Sequence, residues 1–385
     1  MLTNLPNKIL TLFVFVSSLL LCLPSLIFSQ EWQGLSPGKA KETLSLLQVP
    51  LTNEAFFKAI EEDDVRVVRL FHQAGVDLNT REDGLGQSPP IFVAASYGSS
   101  KVFKYLLENK VDVNIRNQWN GRTALVKAIS WERWEMVWAL LNAGAVALHD
   151  PTISLADTAG SALTFAIISE DPILVKELLK PERGAFVNER GIFQETPLIR
   201  ASRYPSVQVV KLLLEAGASV TDVDMFGGTA LIRALGVKEG PQFGIVRALI
   251  AAGSDVNHKV KNGAYPLMAA TFLDDQYILR LLLENRANPN EVFQAKKEDK
   301  IPWAILGLQN KDVIDAISGG ITPLMIAAVL GHDEAVRVLL EYGADPKISA
   351  QGRENSYTAE SLAASARHME IAEKIKAYSN SACKS

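Results

Sequence analysis

Short apolar stripes at helical spacing recur along this chain, and the clearest example is the segment 321–346, ITPLMIAAVLGHDEAVRVLLEYGADP. Thr322 and Pro323 are typical of a helix N-cap followed by the first helical residue, so we predict a short helix that ends at Gly331. The second half carries apolar residues at positions i, i+3 and i+4 and predicts another helix, ending at a left-handed Gly343. Neither helix is long enough to be stable alone, so the pair needs similar neighbours on both sides.

The same pattern returns at nearly regular intervals. Most intervals between successive starts are 33 to 38 residues, and one is 57 residues. A period of this length is typical of stacked helical repeats with insertions. The predicted repeat starts are Glu54, Pro89, Thr123, Ser161, Thr196, Thr229, Tyr265, Thr322 and Thr358.

The repeated motifs resemble those of a known family. First halves read TALVKAI at Thr123 and TPLIRAS at Thr196, and second halves read KLLLEAGASV at Lys211 and RALIAAGSDVN at Arg247. They are similar to the Thr-Pro-Leu-His-x-Ala start and the Ala-Gly-Ala-Asp-Val-Asn ending of ankyrin repeats. The resemblance implies an all-α ankyrin-repeat solenoid of about nine helix-turn-helix units with capping terminal units. The histidine of the family motif is absent from every copy, so we expect these repeats to depend more on apolar packing.

The remaining segments define the expected domain boundaries. We predict a signal peptide at 1–29, an N-terminal tether at 30–53, the array at 54–376 and a C-terminal tail at 377–385. The tether contains one short helical piece in this interpretation, around Thr43 to Leu47.

The array is interrupted by a long insertion at 291–320. It begins with a charged cluster at 296–300 and then becomes apolar around Trp303, with a second helical piece predicted at 313–317. One interpretation is a small helix that packs back on the neighbouring repeats. The other is a functional segment, because long loops in compact arrays often carry function.

The first residues have the layout of a leader. Lys8 precedes an apolar run from Ile9 to Phe28, and polar residues follow it, which favours removal after Ser29. The alternative is an uncleaved membrane anchor, because the run is long enough to cross a bilayer. Pro24 and several serines weaken that alternative.

Cysteine usage bears on the compartment. The chain has 2 cysteines, Cys22 in the predicted leader and Cys383 near the end, so no internal disulfide remains after cleavage. We expect an exported protein, periplasmic or secreted, and favour a bacterial periplasm over a eukaryotic secretory route.

Charge and composition limit the classes of partner. The chain has 385 residues and a net charge of −4, with 48% hydrophobic residues, which is ordinary for a globular protein. A basic surface excess is missing, so nucleic acid is not an expected partner. We expect a monomer that binds a protein.

Catalytic and metal-binding motifs are not apparent in the sequence. The 5 histidines lie in different repeats, and none forms a His-x-x-x-His pair. Gly84-Leu85-Gly86 lacks the third glycine of a dinucleotide-binding motif and indicates a turn. We therefore predict a protein that is not an enzyme and needs no cofactor.

Large apolar residues at the tips between repeats and at the ends of first helices are the candidate contacts for a partner. Exposed aromatic rings are unusual unless they pack locally or meet another molecule. The interpretation that they pack on their neighbours stays open beside the binding role. The candidates are Leu85, Trp119, Phe193 and Phe226 at tips, Tyr97, Trp131 and Tyr204 at helix ends, and Trp303 in the insertion.

The expected function is that of an exported scaffold, which binds a partner protein through its tips and its first-helix face. A membrane-anchored scaffold and a secreted effector are the alternatives.

Overall fold

Short helices make up nearly all the regular structure. The computed structural model describes residues 34–84, 86–147, 161–236, 243–293, 320–351 and 355–382. The chain divides into two compact units, Met1–Ala145 and Val146–Ser385.

The N-terminal unit is built from an extra helix and three helix pairs. The two helices of each pair pack against each other. The helices are α1 (Pro37–Leu46), α2 (Asn53–Glu61), α3 (Val65–Gln73), α4 (Pro90–Tyr97), α5 (Ser100–Glu108), α6 (Ala124–Ser130) and α7 (Trp134–Asn142).

The C-terminal unit continues with six further pairs in the described residues. It also has two short 3₁₀ helices, Pro181–Arg183 and Ile192–Gln194, and an antiparallel pair of strands, β1 (Ala350–Gln351) and β2 (Ser356–Tyr357). The helices are α8 (Ala162–Ile168), α9 (Pro172–Leu178), α10 (Pro197–Ala201), α11 (Val207–Glu215), α12 (Ala230–Leu235), α13 (Phe243–Ala251), α14 (Pro266–Leu273), α15 (Gln276–Glu284), α16 (Pro323–Leu330), α17 (Asp333–Glu341), α18 (Ala359–Ser365) and α19 (Met369–Ala382).

Within each unit the pairs stack side by side. First helices pack against neighbouring first helices, such as α14 against α16, and second helices pack against second helices, such as α15 against α17. In α16, Pro323 to Val329 are all buried, so this first helix lies almost entirely in the core. The predicted all-α architecture of helical repeats is confirmed.

Threonine caps start many of the first helices. The Thr322 hydroxyl oxygen accepts the Met325 N–H at 3.3 Å, and Gly331 ends α16 with a φ of +78°. Both features were predicted from the sequence. In the first repeat the prediction was two residues late: the cap is Thr52 rather than Glu54, because its hydroxyl accepts the Ala55 N–H at 3.3 Å.

Both ends of the array are more ordered than the sequence indicated. The helical piece expected at Thr43 to Leu47 is the longer helix α1, whose Ala40 and Leu44 are buried as it packs on α3. At the other end, α19 extends into the expected tail. There the Tyr378 hydroxyl donates to the Leu340 carbonyl at 2.8 Å.

The repeats on either side of the insertion stack directly on each other. Phe293 and Ile321 exchange two backbone hydrogen bonds of 2.9 and 2.8 Å, and both side chains are buried. The Asn290 side chain accepts the Asp345 N–H at 2.7 Å and donates to the Gly343 carbonyl at 3.1 Å. The helical array is therefore continuous between the residues that flank the insertion. The helical pieces predicted in it lie outside the described residues.

None of the described helices within residues 34–382 combines the length and apolar character that a bilayer-spanning helix needs. The predicted leader at 1–29 lies outside the described residues.

Deleting Lys296 to Asn310 is expected to leave the array folded, because the repeats on either side are already joined at Phe293 and Ile321. Helicity per residue by circular dichroism should match that of the parent chain, and the melting temperature should stay within about 3 °C. Collapse of the helical signal would show that the segment is structural.

A matched variant shows whether the assay resolves damage at this junction. Asn290→Ala removes two hydrogen bonds between repeats while the insertion stays in place. It should lower the free energy of unfolding by about 1 kcal/mol.

Candidate functional site

Buried Asp224 organises the tip that carries Phe226. One carboxylate oxygen accepts the N–H groups of Phe226 and Gly228, both at 2.9 Å, and the other accepts the Arg233 Nε–H at 2.6 Å. The turn needs glycine at 227, where φ is +80° and a Cβ would lie 3.1 Å from the Lys261 nitrogen. The Phe226 side chain is left 55% exposed.

The neighbouring tip brings Phe193 beside Phe226. Phe193 has a φ of +62°, an uncommon value for a residue with a side chain. Its carbonyl accepts the Met225 N–H at 2.7 Å, and the two rings lie 6.4 Å apart between centroids with 33° between their planes. Two predicted tip residues, 33 positions apart in the sequence, therefore form one exposed aromatic pair.

Basic side chains surround this pair. The Arg233 guanidinium lies 5.7 Å from the centre of the Phe226 ring, and the Lys261 Nζ donates to the Met225 carbonyl at 2.6 Å. Met225 is itself 44% exposed. We call Phe193, Met225 and Phe226 with Arg233 and Lys261 the tip cluster.

The carboxylates that balance these charges lie below the surface. Glu195 is buried and pairs with Arg200 at 2.8 Å and with Arg203 at 2.7 Å, while Asp224 is buried under Arg233. The carboxylates of Glu195 and Asp224 are therefore covered, whereas that of Asp222, which pairs with Arg190, is partly exposed.

Trp119 occupies an equivalent tip in the N-terminal unit. The side-chain oxygen of buried Asn117 accepts the Trp119 and Asn120 N–H groups at 2.9 and 3.1 Å, and Gln118 donates its N–H to the Gly86 carbonyl at 3.2 Å. The indole is 70% exposed. Of the other predicted residues, Leu85 and Trp303 lie outside the described residues.

The predicted helix-end residues differ in exposure. Tyr97 and Trp131 are each 59% exposed, whereas Tyr204 is half-buried. The Glu61 carboxylate lies against Tyr97 and raises the pKa of its phenol. The Lys127 Nζ lies 5.2 Å from the centre of the Trp131 ring. Tyr97 is the last residue of α4 and Trp131 directly follows α6, as expected, whereas Tyr204 lies in the turn three residues after the end of α10.

The basic residues of these surfaces were not among the candidates predicted from the sequence. Lys127, Arg200 and Arg233 occupy the same position of their repeats, the fourth after the capping threonine. This recurrence is visible in TALVKAI, TPLIRAS and TALIRAL and was the signal that could have found them.

In the described part of the chain, no group of three or more His, Cys, Asp or Glu side chains is placed to hold a metal ion. What the described residues do present is a series of exposed tips and helix ends on a stack of helix pairs. This arrangement defines a helical repeat protein with a recognition surface.

A family comparison identifies the repeat. The model for ankyrin repeats (3 copies) matches residues 56–154, 163–259, 231–349 and 292–382, which is well over half of the chain. The chain belongs to the ankyrin-repeat family. Ankyrin repeats are protein-interaction scaffolds, and that coarse function applies to this chain.

Individual relatives are diverse. The chain is 27% identical to the probable E3 ubiquitin-protein ligase XBOS32 of Oryza sativa subsp. japonica, over 47% of this chain and 41% of that protein. It is 28% identical to the Ankyrin repeat and SOCS box protein 6 of Homo sapiens, over 61% of this chain and 59% of that protein. It is 30% identical to the Ankyrin repeat protein nuc-2 of Neurospora crassa, over 61% of this chain and 21% of that protein.

These matches cover only part of each relative, from 21% to 59% of its length. Two of the three names mention the ankyrin repeat, and the three names describe different proteins. The likeness therefore extends to the scaffold and to no particular activity.

Asp224→Ala is expected to lower the free energy of unfolding by about 2 kcal/mol, because hydrogen bonds to a charged group are worth about 1.5–3 kcal/mol and Arg233 loses its partner. The comparison variant is Asp222→Ala, whose pair with Arg190 is partly exposed and should cost about 0.5 kcal/mol. Urea titration measures both. Equal costs would show that Asp224 does not organise the tip.

Proposed function

We propose that this chain is an exported scaffold, which binds a partner protein through its tips and first-helix face and carries out no catalysis. The observation that carries the proposal is the aromatic pair of Phe193 and Phe226, with both rings 55% exposed. Exposed aromatic rings at the centre of a contact are the residues that most often contribute strongly to protein binding.

Several features support a binding role for the pair over simple local packing. The two rings contact each other yet each keeps more than half of its surface open to solvent. Their positions are fixed by backbone hydrogen bonds between tips and by buried Asp224, so little conformational freedom is lost when a partner binds. Arg233 and Lys261 add hydrogen-bond donors at the rim.

Export is proposed from the first residues of the sequence. The apolar run from Ile9 to Phe28 and the polar residues after it are typical of a secretory leader. The mature chain in this proposal begins at Gln30, acts as a monomer and lies in the periplasm or outside the cell. Retention of the run would instead make the protein a membrane-anchored scaffold.

Replacing Trp119, Phe193 and Phe226 by serine is expected to weaken partner binding and to leave stability nearly unchanged, because all three side chains are more than half exposed. The full chain is cross-linked in its native cell, captured and analysed by mass spectrometry, with the parent and the variant compared quantitatively. The partner's yield should fall at least tenfold, and the melting temperature should change by less than about 3 °C.

The matched control is Ile173→Ser with Tyr277→Ser. These side chains are 69% and 67% exposed but lie on the second helices α9 and α15, away from the tips. The control should capture the partner as well as the parent does. An unchanged profile in the tip variant, or a large loss of stability, contradicts the proposal.

Processing is tested separately. Edman sequencing of the mature protein from its native cell should give a start at Gln30, which removes the predicted leader. A chain that begins at its initiator methionine and fractionates with membranes supports the anchored form.

A further inference from the structure

A lysine in the N-terminal unit lies between two aromatic rings on the first-helix face. The Lys127 Nζ is 5.2 Å from the centre of the Trp131 ring and 5.9 Å from the centre of the Phe92 ring. Phe92 is buried, whereas Trp131 and Tyr97, which occupies the equivalent position of the preceding repeat, are each 59% exposed. We call Phe92, Tyr97, Lys127 and Trp131 the helix-end cluster.

Positive charge accumulates at one side of this cluster. Arg122 and Arg133 both act on Lys127 and, after burial itself, are the causes that lower the pKa of its ammonium group. Within the described part of the chain, none of the ion pairs involves Lys127 or Arg133. The fold therefore holds a partly desolvated cation where its charge is disfavoured.

Arg133 is fixed in this position by its surroundings. Its Nη2 donates to the Ser96 carbonyl at 2.8 Å. The guanidinium also lies directly over Gly98, where a Cβ would overlap with it. The arginine is therefore held in place beside Lys127.

Carboxylates also border this cluster, at Tyr97. Glu61 and Glu82 both raise the pKa of the Tyr97 phenol, and Glu61 contributes most through its charge. Acidic and basic side chains therefore both lie beside the exposed rings, with Glu61 at Tyr97 and Arg133 over the adjacent Gly98. A polyanion would be repelled by these carboxylates, whereas a single carboxylate can face Lys127 alone.

We propose that the helix-end cluster binds an acidic segment of a partner protein, with one carboxylate against Lys127 and a neighbouring apolar side chain on the exposed face of Trp131. The charge complementarity is specific: the carboxylate faces Lys127 and the neighbouring Arg133, and uncharged or basic residues face Glu61. The inference rests on the proposed function, because it supposes that the occupant is a protein.

The test uses the full chain and a phage-displayed library of random dodecapeptides. Peptides that bind the parent chain should be enriched in Asp or Glu next to an apolar residue. Synthetic copies of the selected peptides are then titrated calorimetrically against the parent and the variants. Lys127→Met should weaken binding about tenfold, and changing the peptide's acid to its amide should weaken binding to the parent by a similar factor.

Matched variants separate charge from folding. Lys127→Arg keeps the charge and should bind within about threefold of the parent, and Lys104→Met removes an exposed lysine from α5 and should not change binding. Lys127→Met should melt within about 3 °C of the parent, because methionine keeps an apolar side chain beside the rings of Phe92 and Trp131. When the amide peptide is titrated against Lys127→Met, the loss of binding affinity should be no greater than the loss caused by either change alone.

Four outcomes overturn the proposal. They are a selected set with no acidic enrichment, equal binding by Lys127→Met, tighter binding of a single-stranded oligonucleotide than of the peptides, and self-association that depends on Lys127 in sedimentation. Loss of capture by the tip variant, with capture by Lys127→Met unchanged, would leave the proposed function standing and this inference refuted. Failure of all forms to capture a protein would refute the proposed function instead.

Discussion

The helices of this protein are too short to be stable by themselves. Apart from α1 and α19, those in the described residues have between 5 and 9 residues, which is below the length at which an isolated helix persists in water. Each repeat therefore depends on the apolar faces of its neighbours. The extra helix α1 covers the first pair, which would otherwise leave a face open, and the last pair ends in the long helix α19.

Asparagines at the ends of repeats add a polar link to this apolar stacking. Asn188, Asn257 and Asn290 each accept a backbone N–H from the next repeat and donate to one of its carbonyls. The amide is suited to this role because it offers a donor and an acceptor in a fixed geometry. Asn290 makes the same pair of hydrogen bonds with residues 53 and 55 positions later in the chain. The link between repeats is therefore the same whether the segment that connects them is short or long.

The repeated framework could be predicted from the sequence because its causes are local. Thr322, Pro323 and Gly331 set the start and end of a helix by their own chemistry, and the apolar stripe shows which face is buried. Helix α1 was underestimated for the opposite reason. Gly38 and nearby prolines indicated a tether, while the burial of Ala40 and Leu44 depends on α3, which lies later in the chain.

The surfaces were only partly predictable. That Phe193 and Phe226 stand on exposed turns follows from their place in the repeat, but their contact depends on the positive φ of Phe193 and on its hydrogen bond to Met225. The surroundings of Lys127 are even harder to predict from the sequence. Phe92 belongs to the preceding repeat, and Arg122 and Arg133 come from separate turns. Both arrangements depend on distances between residues of different repeats, and a local sequence pattern does not specify these distances.

The two clusters differ in how their charges are balanced, and this difference bears on recognition. In the tip cluster, Arg233 pairs with buried Asp224, so its charge stabilises the fold. At Lys127 the burial and the neighbouring arginines oppose the charge, and Tyr97 and Trp131 stay exposed beside it. Lys127 can therefore be selected for partner binding with little effect on the free energy of folding. The array can therefore keep one framework while adjacent positions on its surface acquire separate specificities.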